Sequence, residues 1–368
     1  MGKTETVTEF KCPCCGAPVE FNARTQNVKC PYCESEFDAE ALLSYIEETG
    51  KESSGSMEWE EYDENSGSGD WREGETEGLR TYVCSACGGE IIAEETTGAT
   101  SCPYCGNPVV ITEKFSGSLR PDYIVPFKLD KKAAKEALKK FYKGKTFLPG
   151  TFKDENHIDE IKGMYVPFWL FDCKAEAEMC FKGEKVRMWT DGNFNYVNTR
   201  VYMNKRSGVL DFEKVPVDGS KKMDDSMMES IEPFDLREAV EFQTPYLAGY
   251  AADKYDVDQA SCAARANDRI RRSMEDTLRA TVNGFDVVGV DYSNIDLSNR
   301  SVSYVLLPVW TLNTTWKGRK YSFTMNGQTG RMAGDLPVDR KKFMGWLGLS
   351  TLLSTAAFFG LYCLLFVL

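Results

Sequence analysis

Histidine is almost absent from this sequence, since His157 stands alone among 368 residues. A single histidine excludes zinc fingers with two cysteines and two histidines, HExxH sites and every other site built on a histidine pair. Basic charge is also scarce: 44 lysines and arginines face 56 aspartates and glutamates, which leaves a net charge of −12. Because phosphate groups bind to basic surfaces, this balance argues against nucleic acid as the main partner.

Two kinds of motif are also missing. The first eleven residues, MGKTETVTEFK, contain no apolar run of the kind found in secretory signals, so we expect the chain to stay in a reducing compartment. Gly144-Lys145-Thr146 resembles the end of a phosphate-binding loop, but Lys139 stands where that loop needs its first glycine. We therefore expect a protein that is not an enzyme. The alternative, an active site without a known motif, would need a pocket with converging polar groups.

Cysteine, by contrast, is abundant, with thirteen residues. Eight of them form two copies of the pattern C-x2-C-x14-C-x2-C, and both copies contain Cys-Pro-Tyr-Cys. Two thiolates three positions apart on a tight turn can reach one ion at about 2.3 Å, and four thiolates fill a tetrahedral shell. The pattern predicts two structural zinc ions (Zn2+), with the ligands Cys12, Cys15, Cys30 and Cys33 for the first and Cys84, Cys87, Cys102 and Cys105 for the second.

The remaining cysteines and the knuckle glycines refine this prediction. A glycine follows the second cysteine of three pairs, where positive φ eases the turn, but Glu34 occupies the fourth such position and should make that knuckle less ideal. Cys14 lies between two predicted ligands, and the spacing favours Cys12 and Cys15 over it. We interpret the scattered cysteines as buried small apolar side chains; they are Cys173, Cys180, Cys262 and Cys363.

Composition divides the chain into five segments. They are a zinc ribbon at 1–45, an acidic flexible linker at 46–80, a second zinc ribbon at 81–120, an α+β body at 121–338, and a basic flank with a transmembrane anchor at 339–368. Between Glu47 and Glu77, twelve acidic residues face two basic ones, which predicts disorder. Trp59 and Trp71 lie within this linker, and they either dock onto a neighbouring surface or are incidental.

Helix and strand periodicities alternate along the body. We predict a strand at Tyr123–Leu129, helices at 130–143 and 256–283 with Asp130 and Asp256 as caps, and strands over 285–325. Residues 164–217 indicate an antiparallel meander that turns at Lys182–Gly183, Asp191–Gly192 and Ser207–Gly208. The phrases Val166-Pro-Phe-Trp-Leu170 and Leu307-Pro-Val-Trp-Thr311 resemble each other and suggest two related halves. The lysines of the first helix form either a solvated face or a contact with anionic lipid headgroups.

The sequence closes with an apolar run. Residues 343–368 carry no charge, and 26 helical residues exceed a hydrocarbon core of about 30 Å. Arg340, Lys341 and Lys342 precede this run, so the positive-inside rule predicts a single-pass protein of the cell membrane with its body in the cytoplasm. Small residues four positions apart could also seat a second helix, which leaves a homo-oligomer open; they are Ser350, Ser354, Ala356 and Gly360.

This layout resembles a bacterial family, the TFIIB-type zinc ribbon-containing membrane proteins, some of which bear the name of primosomal replication-restart helicase through ribbon similarity. The resemblance rests on the Cys-Pro-Tyr-Cys ribbons and on Ile124-Val-Pro-Phe127, Phe147-Leu-Pro149, Tyr165-Val-Pro-Phe-Trp169, Leu307-Pro-Val-Trp310 and Asn326-Gly-Gln-Thr-Gly330. It implies that the eight ribbon cysteines bind metal. It also implies a membrane adaptor linked to envelope-stress proteins of the phage-shock or flotillin-like type.

We therefore expect a tail-anchored, non-enzymatic adaptor that presents a protein-binding surface on the cytosolic side of the membrane. The alternative is a membrane-tethered nucleic-acid-binding or replication-associated protein. That alternative would need a basic surface on a ribbon or on the body.

Overall fold

The computed structural model of the chain describes residues 10–49, 56–60, 62, 70–94, 102–107, 110–114, 119–155, 160–192 and 194–366. The chain forms two compact units. The first comprises Met1–Glu60, Phe171–Val215 and Ala263–Ser301, and the second comprises Glu61–Leu170, Pro216–Cys262 and Val302–Leu368.

Strands and helices alternate, as expected of a mixed α+β protein. The N-terminal elements are β1 (Glu20–Asn22), β2 (Asn27–Lys29), β3 (Glu36–Asp38), α1 (Ala39–Thr49), β4 (Leu79–Val83), β5 (Glu90–Glu94) and β6 (Val110–Lys114). Next come β7 (Tyr123–Ile124), α2 (Lys131–Tyr142), α3 (Gly150–Glu155), β8 (Lys162–Asp191), β9 (Phe194–Asp218), α4 (Asp225–Ile231), β10 (Val240–Glu241) and β11 (Ala251–Asp253). The last are α5 (Gln259–Arg279), β12 (Val287–Trp316), β13 (Arg319–Asn326), β14 (Met332–Gly334) and α6 (Arg340–Phe366).

The described strands form a small and a large sheet. The small sheet has the antiparallel order β1-β2-β3. The large sheet follows the path β10-β7-β12-β8-β11-β5-β4-β6, with β9 beside β8, β13 beside β12 and β14 beside β13. This path is symmetric about the β12–β8 pair. The short strands β7 and β11 flank the pair, and the hairpin partners β13 and β9 lie beside β12 and β8.

The body repeats one chain order twice: short strand, helix, long hairpin. The first copy is β7-α2-β8-β9 and the second is β11-α5-β12-β13. The short strands exchange partners: β7 pairs in parallel with β12, with Tyr123 opposite Val305, and β11 pairs in parallel with β8, with Ala251 opposite Met164. Each copy therefore completes the sheet of the other.

Matching hydrogen bonds support this internal repeat. The indole nitrogen of Trp169 donates to the carbonyl of Val257 at 2.9 Å, and that of Trp310 donates to the carbonyl of Leu129 at 3.0 Å. Each acceptor lies two residues before the first residue of α5 or α2. Two backbone bonds also correspond, from Gly219 to the Pro167 carbonyl at 2.9 Å and from Gly327 to the Pro308 carbonyl at 2.8 Å. The two similar phrases in the sequence thus make the same contacts.

Periodicity explains how the helices cover the strands. In the first unit, β8 buries every second residue from Cys173 to Met179, and α5 packs Ile270, Met274 and Leu278 against that face. In the second unit, α2 buries one apolar stripe against β12 and β13. The side chain of Asp130 caps α2 as predicted, by accepting from the Ala133 N–H at 2.8 Å. At α5 the cap is Asp258, which accepts from the Ser261 N–H, and not Asp256.

Two of the expected turns are absent, because β8 and β9 each continue through them. Among the described residues of the hairpin, the turn lies at Gly192, whose φ is +55°. At Gly183 a Cβ atom would lie 2.7 Å from the ring of Phe285, and at Gly208 it would lie 3.1 Å from Leu278. These two glycines therefore make room for crossing side chains. Similarly, the strand expected at Tyr123–Leu129 ends at Ile124.

Both tryptophans of segment 46–80 dock. The indole of Trp59 donates to the Asn267 side chain at 2.7 Å and lies 4.8 Å edge-on from Phe171. The ring of Trp71 lies 5.6 Å from that of Phe242. Docked aromatic rings explain how parts of so acidic a segment are held against the folded units.

Helix α6 is long and apolar enough to cross a membrane, and its residues 340–362 are exposed. Its first turn is capped by Asp339, whose carboxylate accepts from the N–H groups of Lys341 and Lys342 at 3.1 and 3.2 Å. Val367 and Leu368 of the predicted anchor lie outside the described residues.

Candidate metal centres

Four knuckles of identical backbone geometry hold the eight predicted ligands. In the first, the N–H of Gly16 donates to the carbonyl of Cys12 at 2.8 Å, and the same bond recurs at Cys30, Cys84 and Cys102. The residue that donates has positive φ in every case: +74° at Gly16, +60° at Glu34, +70° at Gly88 and +77° at Gly106. Glu34 thus adopts the conformation for which glycine is better suited, and its knuckle forms in the same way.

The thiols meet as two groups of four. Within each group, Cys12, Cys15, Cys30, Cys33 and Cys84, Cys87, Cys102, Cys105, the sulfur atoms all lie within 4.8 Å of one another. The distances across the knuckles are 3.5 Å for Cys12–Cys33 and Cys15–Cys30, 3.4 Å for Cys84–Cys105 and 3.6 Å for Cys87–Cys102. A tetrahedral ion with bonds of about 2.3 Å requires sulfur–sulfur edges of roughly 3.8 Å. Both groups therefore fit a single ion with little adjustment.

Hydrogen bonds prepare one thiol of each group for ionisation. The Ser35 hydroxyl, 3.2 Å from the sulfur, lowers the pKa of Cys33 to about 6. Burial raises the pKa of Cys105, but the backbone and side-chain N–H groups of Asn107 outweigh it and bring the value to about 6. Burial raises the pKa of Cys12 to about 12 and also raises that of Cys102. A cation that binds must therefore displace protons from the buried thiols.

The other cysteines lie outside these groups. Cys14 contributes its backbone N–H, which donates to the sulfur of Cys12 at 3.4 Å. The interpretation of the scattered cysteines as buried small side chains agrees with the exposed fractions of Cys173, Cys180 and Cys262, which are 5%, 4% and 0%. The side chain of Cys363 lies outside the described part of the chain.

The two groups differ in their surroundings. Strand β5, which follows the second cysteine of the second group, pairs with β11, with Ile91 opposite Asp253. By the shared spacing, residues 18–22 of the first group correspond to β5. There Pro18 bridges to Lys11, as Glu90 pairs with Val83, and β1 pairs with β2. Tyr32 and Tyr104 are the matching tyrosines of Cys-Pro-Tyr-Cys. Tyr32 is 76% exposed, whereas the hydroxyl oxygen of Tyr104 is buried.

The hydroxyl of Tyr104 lies beside a buried acidic residue, Asp253. Asp253 is fully buried, accepts a 2.5 Å hydrogen bond from the Ser220 hydroxyl, and lies beside the Tyr104 hydroxyl. Burial raises the pKa of Asp253 to about 6 and that of Tyr104 well above its usual value. In the other copy of the repeat the position of Asp253 is held by Val125, which is equally buried. Aligning the two halves was the signal that could have identified Asp253 from the sequence.

A cavity of about 380 Å³ borders the second group. It is lined by Cys102, Pro103, Gly106, Lys131, Glu160, Lys162, Thr311 and Asn313. Burial lowers the pKa of Lys162, while the nearby sulfur of Cys102 opposes that shift. The lysine thus supplies positive charge beside the thiols.

Comparison with known proteins gives one clear relationship. No family model and no solved structure matches the chain. The chain is similar to the uncharacterized protein YdjG of Bacillus subtilis (strain 168), with 32% identity over 315 residues. The match covers 72% of this chain and 92% of YdjG. Since identity at this level extends over most of both proteins, the chain belongs to the family of YdjG.

Proposed function

We propose that this protein is a tail-anchored, non-enzymatic adaptor of the cell membrane, whose first cysteine module is a zinc ribbon that recruits a cytosolic protein. Four thiolates favour zinc among common metals and leave no open coordination position. A closed site performs no chemistry on a substrate, so its value lies in the surface that it keeps rigid. The module is too small to be held together by burial alone.

One observation carries the proposal: the tyrosine by which the second module contacts the body has an exposed counterpart in the first. The second module uses β5 and Tyr104 for this contact. The corresponding tyrosine of the first module is Tyr32, which is 76% exposed. The matching site in the body, on β7, is covered by β10, with Val240 opposite Ile124. Tyr32 of the first module is therefore available to a partner protein.

The resemblance to TFIIB-type zinc ribbon membrane proteins supports this assignment. It extends the proposal to a partner among envelope-stress proteins of the phage-shock or flotillin-like type. The apolar helix α6 behind Arg340, Lys341 and Lys342 supports an anchor with the body in the cytoplasm.

The test compares proteins that co-purify with the detergent-solubilised full-length chain and with Tyr32→Ala. Leu43→Ala is the matched control, because Leu43 is 46% exposed in the same module but lies on α1, away from the knuckles. We expect Tyr32→Ala to lose a specific protein that both the native chain and Leu43→Ala retain, with two zinc ions bound in all three. Retention of the same proteins by Tyr32→Ala and by a chain that lacks residues 10–49 would contradict the proposal. Loss of a nucleic acid at raised salt would favour the alternative.

A further inference from the structure

We propose that the segment 131–145, here called the basic surface, binds anionic lipid headgroups beside the membrane anchor. This inference rests on the proposed membrane insertion of α6. The basic surface contains seven lysines and one acidic residue, Glu136, in a chain whose net charge is −12. So strong a local excess of positive charge in an acidic protein favours an anionic partner.

Six of the seven lysines of the basic surface face solvent. Helix α2 buries Ala134, Leu138 and Tyr142, which leaves its other faces to charged residues. In the described part of the chain, none of the six exposed lysines of the basic surface forms an ion pair. They are Lys131, Lys132, Lys139, Lys140, Lys143 and Lys145. Their charges are therefore available to a ligand.

The chain that follows α2 is fixed to the start of the anchor. The carbonyl of Phe147 accepts a 2.8 Å hydrogen bond from the N–H of Asp339. The rings of Phe147 and Phe343 lie 5.5 Å apart, and Lys342 donates to the carbonyl of Leu148 at 3.5 Å. Phe343 is the first apolar residue of the predicted span, so Phe147 lies at the depth where the helix enters the bilayer.

Chain length then limits how far the basic surface can be from the headgroups. Lys143 precedes Phe147 by four positions, which span at most about 14 Å. Lys145 lies within about 7 Å by the same reasoning. Charges attract an anionic membrane within a Debye length of about 8 Å at physiological salt. Together with Arg340, Lys341 and Lys342, the basic surface thus extends the positive charge around the anchor, which favours lipid over an acidic protein or a nucleic acid.

The experiment uses the full chain in vesicles of phosphatidylcholine alone or mixed with phosphatidylglycerol. An uncharged amine-reactive reagent labels accessible lysines, and mass spectrometry quantifies labelling at Lys139, Lys140, Lys143 and Lys145. We expect at least about threefold less labelling in the anionic vesicles, with recovery in high salt. Equal labelling in both vesicles would overturn the proposal. So would protection in neutral vesicles by inorganic phosphate or by an oligonucleotide, because the ligand would then be a free phosphate or a nucleic acid.

Two variants sharpen the result. The triple change Lys139→Gln, Lys140→Gln, Lys143→Gln should make labelling of Lys145 equal in the two vesicles. The matched triple Lys221→Gln, Lys317→Gln, Lys320→Gln removes the same charge from other exposed positions of the second unit and should keep the difference. Extraction at alkaline pH tests the proposed anchor separately. A chain that leaves the vesicles lacks the anchor. A chain that stays inserted but shows no lipid-dependent protection contradicts only the proposal that the basic surface binds anionic lipid.

Discussion

The hydroxyl of Tyr104 and the carboxyl of Asp253 are buried side by side, whereas their counterparts in the repeats are the exposed Tyr32 and the apolar Val125. The position within the repeat is the same, but the second half carries a carboxyl where the first carries an apolar side chain. A buried carboxyl is costly unless a group nearby offers a hydrogen bond. Asp253 therefore marks the place where the body holds the second cysteine module.

Substitution of Asp253 by asparagine should stabilise the protein near pH 7. Burial raises the pKa of Asp253 from 3.8 to about 6, so the folded protein retains a proton that the unfolded chain releases earlier. Stability is consequently lost as the pH rises from about 4 through 6, by up to roughly 3 kcal/mol. Asp253→Asn keeps an oxygen for Ser220 and removes this loss. Hydrogen exchange of β5 and β11 as a function of pH measures it.

The exposed Asp335→Asn is the control for this prediction and should leave the exchange rates unchanged. A gain for Asp253→Asn that is as large at pH 4 as at pH 7 would show that the carboxyl's ionisation is not the cause.

The two indole hydrogen bonds of the repeat should contribute equally. Trp169→Phe and Trp310→Phe each remove a donor and leave a part-buried carbonyl before a helix without that bond, at a cost of about 1–3 kcal/mol beyond the change in packing. Trp316→Phe is the matched control, since the buried indole nitrogen of Trp316 has no hydrogen-bond partner among the residues that the structure describes. Chemical denaturation monitored by hydrogen exchange compares the three. Equal losses in all of them would mean that ring size alone matters.

Metal content should follow the two groups of four thiols. Protein purified without added zinc is expected to hold close to two ions, Cys14→Ser should keep both, and Cys30→Ser should lose one because three thiolates bind zinc more weakly than four. Elemental analysis against protein concentration measures the ratio. Loss of an ion from Cys14→Ser would make Cys14 a ligand after all.

A chain that ends at Asp339 should leave the membrane fraction after a high-salt wash. The apolar residues of α6 supply the proposed anchor, and the salt screens any attraction between lysines and anionic lipid. Sedimentation of cell membranes with immunodetection is the measurement. Persistent sedimentation in high salt would reveal a second apolar anchor.

The sequence predicted what depends on near neighbours. The eight cysteines could be grouped because each knuckle spans only four residues, and the helix at α2 was found through its own apolar stripe and its cap, Asp130. The turns predicted at Gly183 and Gly208 were wrong, because the side chains that cross these glycines come from residues far along the chain. No local sequence pattern indicates such a contact. For the same reason the position of Tyr104 against Asp253 was not predicted.

The exchange of short strands between the two halves of the body has a consequence for how the protein arose and how it is made. A single copy of the unit would pair its short strand in this way only with a second molecule. Two copies in one polypeptide make that exchange intramolecular. During synthesis, β7 has no parallel partner until β12 has been made. Nascent chains stalled before residue 305 therefore retain an open edge on β7 that a chaperone or another nascent chain can cover.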